Sequence, residues 1–145
     1  MEDFSLTHPG MGKAELARCN RLSAAHGLTL TQTDLVRLEE ARQSALREAG
    51  RVEFSGGVLA KLADAFCVSP YLDQCDYADT LETLQELFYE FKNLCGERLE
   101  DDELIAAMTV IFDGTGGSLD ALSGADAEAL YAAARTGRFE GFTHD

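Results

Sequence analysis

The stretch Tyr77-Ala78-Asp79-Thr80-Leu81-Glu82-Thr83-Leu84-Gln85-Glu86-Leu87-Phe88-Tyr89-Glu90-Phe91-Lys92-Asn93-Leu94-Cys95 decides the fold. Within it Tyr77, Leu81, Leu84, Phe88, Phe91 and Cys95 follow one another at spacings of 4, 3, 4, 3 and 4. That rhythm lays the apolar side chains along one side of an α-helix and has no counterpart in a strand, where the period is two. Gly96 ends the helix. A stripe this long and this aromatic predicts the central helix of the domain.

The flanking sequence also reads as helix. A first helix is expected over Lys13–His26, stopping at Gly27. Thr31 and Asp34 form an approximate capping box for a second, Gln32–Ala49, which stops at Gly50. A short Arg51–Phe54 link and Ser55-Gly56-Gly57 precede a third helix over Val58–Cys67, ended by Ser69-Pro70. Beyond the central helix come Asp101–Phe112, a loop at Asp113–Ser118, a short turn at Leu119–Leu122, and a last helix over Ala125–Arg135 with Ser123 and Asp126 as an approximate capping box. No segment alternates long enough to be a strand, and no internal repeat is present. The expected architecture is an all-α, single-domain bundle of five or six helices. A loose lead-in spans 1–12, the helical domain 13–137 and a tail 138–145.

A chain of 145 residues, 46% hydrophobic, can build a self-sufficient core without disulfide or metal staples. Twelve Lys+Arg against 26 Asp+Glu give a net charge of −14. This argues against binding to nucleic acid or anionic lipid, because attraction to phosphate needs a basic face. No apolar run is long enough for a transmembrane helix, and the acidic Met1-Glu2-Asp3-Phe4 start is unlike a secretory signal. Cys19, Cys67, Cys75 and Cys95 contain no Cys-x-x-Cys pair, so they are expected to be reduced thiols of a cytoplasmic protein rather than metal ligands. No cofactor is expected.

Catalytic signatures are absent. The three histidines fall outside any His-Glu-x-x-His or Glu-x-x-His pattern, and no Gly-x-Ser-x-Gly, phosphate-binding loop or dinucleotide fingerprint occurs. Counting from Asp113, the loop has Thr115 third, Gly117 fifth, Ser118 sixth and Gly124 rather than Glu twelfth, so it is not of the EF-hand type.

The charge is uneven. Residues 1–50 sum to −1, 51–100 to −6 and 101–145 to −7. On the central helix, at ~100° per residue, Asp79, Glu82, Glu86 and Glu90 project within about 80° of one another, opposite the Leu81/Leu84/Phe88 stripe. Like charges at i,i+4 oppose the helix by a few tenths of a kcal/mol each. This face is either a solvated surface or a docking surface for a basic protein partner.

A second candidate is a polar pocket of Asn20, Arg42, Tyr71 and Asp73. Arg42 interrupts the apolar side of the second helix, and Asn20 shares a side with Leu16 and Cys19. Arg42 either snorkels or pairs with Glu39, Glu53 or Asp73, or else it holds an anionic ligand. Tyr71-Leu72-Asp73-Gln74-Cys75-Asp76-Tyr77 packs two tyrosines, two acids as Asp73 and Asp76, and a thiol into one connection, where binding residues often lie. Helix capping by Asp73 or Asp76 explains it equally well.

An ordered string of motifs runs through most of the chain. It comprises Cys19-Asn20, Gly27-Leu28-Thr29-Leu30-Thr31 with Asp34, Gly50-Arg51-Val52-Glu53-Phe54 and Ala65-Phe66-Cys67 with Ser69-Pro70-Tyr71. Phe88-Tyr89 with Phe91-Lys92-Asn93, Asp101-Asp102-Glu103-Leu104-Ile105 and Gly117-Ser118-Leu119 continue it. Over residues 16–122 the string resembles a small bacterial family of helical proteins, a domain of unknown function found mainly in anaerobic Gram-positive bacteria. The resemblance implies a cytosolic all-helical domain and carries no activity, cofactor or site residue. Three functions stay open: a non-enzymatic protein-interaction module with an acidic helix face, a small-molecule binder or enzyme with a pocket at Arg42, and a mimic of nucleic acid.

Overall fold

A computed structural model describes residues 9–51, 58–96 and 98–137. The described residues form seven α-helices: α1 (Pro9–Ser23), α2 (Gln32–Ala49), α3 (Leu59–Phe66), α4 (Tyr77–Cys95), α5 (Asp101–Gly114), α6 (Leu119–Ser123) and α7 (Ala127–Thr136). The described residues contain no strand, so the all-α expectation holds, with one or two more helices than the sequence suggests. The expected Val52–Phe54 part of the link, Ser55-Gly56-Gly57 and the tail lie outside the described residues.

Local chemistry sets most helix ends. Thr31 Oγ1 accepts from the Asp34 amide and Asp34 Oδ2 accepts from the Thr31 amide, both at 3.0 Å, completing the capping box of α2. α1 begins at Pro9 rather than Lys13, since proline suits a first turn. Its α-helical part stops at Ser23, and a tight 3₁₀ turn over Ala24–His26 leads to Gly27 at φ 78°. That left-handed position is one that glycine adopts without strain. At α5 an unanticipated box joins Glu100 and Glu103. At α7 Asp126 alone caps, accepting from the Ala129 amide at 2.9 Å. Ser123 does not share that role, because it ends α6 and its hydroxyl donates back to Asp120 O at 2.9 Å.

α4 occupies the middle of the bundle, in contact with α2, α3, α5, α6 and α7. The six stripe residues Tyr77, Leu81, Leu84, Phe88, Phe91 and Cys95 are all buried. So are Thr80, Gln85, Leu87, Tyr89 and Lys92, which widens the stripe to most of the circumference. A helix hemmed in by five others hides more than its apolar residues, so its polar members need partners. Gln85 Nε2 donates to Leu38 O at 3.1 Å, and Lys92 Nζ donates to Leu99 O at 3.1 Å while pairing with Asp101 Oδ1 at 3.0 Å. Edge-to-face ring pairs join Phe66 to Phe112 and Phe88 to Tyr89, with centroids 5.5 and 5.2 Å apart.

Two connections are pinned by side chains. Between α1 and α2, Asn20 brackets Leu30 and Gln74 brackets Thr29, each amide both donating to and accepting from the backbone. After α5, Gly117 lies against Tyr71 so closely that a Cβ there would sit 2.5 Å from Tyr71 Cβ, and its φ of 80° adds a second reason for glycine.

Candidate functional site

The acidic residues of α4 lie on its outer side, because the opposite side is consumed by the core. Asp79, Glu86 and Glu90 are exposed and Glu82 is half-buried. They do not form one uniform surface. α2 packs alongside α4, and its Arg37 reaches across. Arg37 Nε and Nη2 donate to Glu82 Oε1 at 3.0 and 2.8 Å, and Nη2 also pairs with Asp79. Both carboxylates raise the Arg37 guanidinium above its ordinary range. The upper half of the acidic face is therefore compensated by a cation from another helix.

The lower half is not. Glu86 and Glu90 face Glu48 of α2 across a cleft of about 330 Å³, lined also by Ala45, Ala49, Tyr89 and Asn93. None of the three carboxylates has an ion-pair partner among the described residues. Partial burial, then repulsion from Glu82, Glu48 and Glu90, pushes the Glu86 carboxyl above its usual range. At the rim, Asn93 Nδ2 donates to Ala49 O at 2.8 Å, and Arg51 donates to Asn93 Oδ1 at 2.7 Å. The cleft thus combines small residues with three carboxylates that lack an ion-pair partner among the described residues, while Arg51 stands at its rim on Asn93.

Glu48 was invisible as part of this site, because it belongs to a different helix from the Glu86/Glu90 pair. The only sequence signal was that α2, like α4, is amphipathic and long enough to lie along it.

The four residues of the expected polar pocket take separate partners among the described residues. Asn20 is spent on the Leu30 backbone. Arg42 is buried on α2, with Nη1 donating to Glu39 Oε2 at 2.8 Å. Tyr71 is half exposed and lies edge-on to Phe112, at 6.5 Å between centroids. Asp73 accepts from the Cys75 amide at 3.4 Å, capping the 3₁₀ turn that leads into α4. Each of the four thus has a local partner of its own. Glu53 lies outside the described residues.

Two further groups bear on chemistry. Burial pushes the Cys19 thiol and the Tyr77 phenol each up to about 12, and the Cys67 and Cys95 thiols also rise through burial. Among the described residues no three His, Cys, Asp or Glu side chains converge as a metal site would require. No helix among them is long and apolar enough to cross a membrane.

A family model, described as a family of unknown function, matches residues 15–140. The chain belongs to this family, DUF6323. The match runs beyond the 16–122 span of the quoted motifs and takes in α7. All the residues of the acidic cleft thus lie inside the DUF6323 region. No curated protein and no solved structure matches the chain.

Proposed function

We propose that this DUF6323 chain is a non-enzymatic binding module of the cytoplasm whose α2–α4 cleft receives a lysine or arginine side chain from a basic segment of a partner protein. The carrying observation is that Glu48, Glu86 and Glu90 line one cleft and none of them has an ion-pair partner among the described residues. Assembling three carboxylates this way disfavours the free protein, and an incoming ammonium or guanidinium relieves it. The alkyl stem of the guest lies on Ala45 and Ala49 while its charged head meets the acids. The net charge of −14 adds long-range steering of a basic partner, raising its association rate at low salt. The acidic balance and the apolar settings of Cys19, Cys67 and Cys95 support a reducing compartment.

Fluorescence anisotropy with a labelled Lys/Arg-rich peptide tests this against the simpler attraction of any polyanion. Glu86→Gln/Glu90→Gln and Asp79→Asn/Glu82→Gln remove the same charge from the same helix. The first pair is expected to weaken binding at least tenfold and the second by less than threefold. Equal losses would reduce the cleft to a share of diffuse charge and overturn the proposal.

A further inference from the structure

Arg98 and Arg135, 37 positions apart in sequence, line one cleft of about 270 Å³ together with Leu99, Glu103, Tyr131 and Ala134. They are the only basic residues among the described residues beyond Glu97, and the fold puts them side by side at the α5–α7 end of the bundle. Neither forms an ion pair with a carboxylate among the described residues, although acids crowd the adjoining first turn of α5.

Those acids are already engaged. Asp101 pairs with Lys92 at 3.0 Å and Asp102 with Lys61 at 3.1 Å. Glu100 and Glu103 are turned into the capping box, Glu103 accepting from the Glu100 amide at 2.9 Å. Arg98 is instead held by an aromatic ring: its guanidinium carbon stands 5.3 Å from the centre of Tyr131, and Nη1 donates to the Tyr131 hydroxyl at 3.3 Å. That hydroxyl in turn donates to Cys95 O at 3.4 Å, which ties the ring to the end of α4. A ring that fixes a guanidinium while leaving most of its N–H donors free pre-organises it for a planar acceptor.

We infer that the Arg98–Tyr131–Arg135 cleft is a binding site for a small oxyanion, a carboxylate or phosphate group, whose apolar remainder rests on Leu99 and Ala134. Two guanidinium forks supply parallel donors to such a group. The buried edge of Leu99 and the Ala134 methyl group give the ligand body a surface that a free inorganic ion would not use.

NMR titration of the full chain with inorganic phosphate and, separately, with benzoate at constant ionic strength tests the site. Saturable shifts are expected at the Leu99, Tyr131 and Arg135 amides. Arg98→Gln and Arg135→Gln should each weaken the saturating anion at least tenfold, whereas Arg21→Gln, at another exposed arginine, should change it less than twofold. Tighter benzoate than phosphate assigns a carboxylate with an apolar body, and the reverse assigns a phosphate. Non-saturating shifts with both anions, or equal losses in all three variants, would overturn the inference.

Discussion

Asn20 and Leu30 are joined as tightly as two strand residues, though neither lies in a strand. Leu30 N donates to Asn20 Oδ1 at 2.9 Å, and Asn20 Nδ2 donates to Leu30 O at 3.1 Å. The amide side chain on α1 thereby satisfies both backbone groups of a buried residue in the α1–α2 connection. Asn20→Ala is expected to leave them unpaired and to cost about 1–3 kcal/mol in urea unfolding. Asn20→Asp should cost nearly as much, because a carboxylate cannot donate to Leu30 O. A change of under a few tenths of a kcal/mol would show the clamp to be idle.

The position of α4 in the bundle predicts a steep contrast along one helix. Phe88 is 1% exposed and Leu94 is 52% exposed. Phe88→Ala should destabilise by about 3–5 kcal/mol through lost burial and the cavity left behind. Leu94→Ala should stay within about 0.5 kcal/mol. Similar unfolding midpoints for the two variants would place α4 at the edge of the fold.

Thiol accessibility provides a prediction at neutral pH. Cys75 is exposed, whereas Cys19, Cys67 and Cys95 are buried and their thiols are raised by burial. An aromatic disulfide reagent should therefore titrate one thiol quickly in the native protein and four after denaturation without reductant. Fewer than four in the denatured sample would reveal a disulfide.

The same burial makes the fold sensitive to base. The Tyr77 phenol and Cys19 thiol are raised to about 12 from ordinary values of 10 and 9. A raised value means that their stabilising effect is whole below the unfolded value and lost as pH climbs to the folded one. Stability should fall from about pH 9 to pH 12 as the unfolded chain sheds protons that the native state retains. Tyr77→Phe should reduce the slope above pH 10, and an unchanged slope would assign the loss to other groups.

Glu86 carries the same sign at the acid end. Its carboxyl is raised by partial burial and by Glu82, Glu48 and Glu90, so its ionisation opposes folding at neutral pH and is relieved as pH falls into the carboxylate range. Glu86→Gln should raise the melting temperature at pH 7 in low salt, by a few tenths of a kcal/mol in stability, and the gain should shrink as salt screens the repulsion. A lower melting temperature would mean that Glu86 has a cationic partner.

Helix identity was legible in the chain because it is local. The 4-3-4-3-4 rhythm of Tyr77–Cys95, the Thr31/Asp34 box and the stops at Gly27, Gly50 and Gly96 each depend on residues within a turn or two. The acidic face of α4 was legible for the same reason, since residues three and four apart share a side whatever surrounds the helix. What surrounds it was decided by tertiary structure alone. Packing α2 against α4 brings Arg37 to Asp79 and Glu82 and so offsets part of the charge in that half of the face, while the same contact adds Glu48 to Glu86 and Glu90 in the other half. Elsewhere Asn20, Arg42, Tyr71 and Asp73 take separate partners. Arg37 and Glu82 stand 45 positions apart, and no periodicity reaches that far. Periodicity tells which side of a helix faces inward, but charge compensation depends on which other helix arrives beside it, and only the packed bundle decides that.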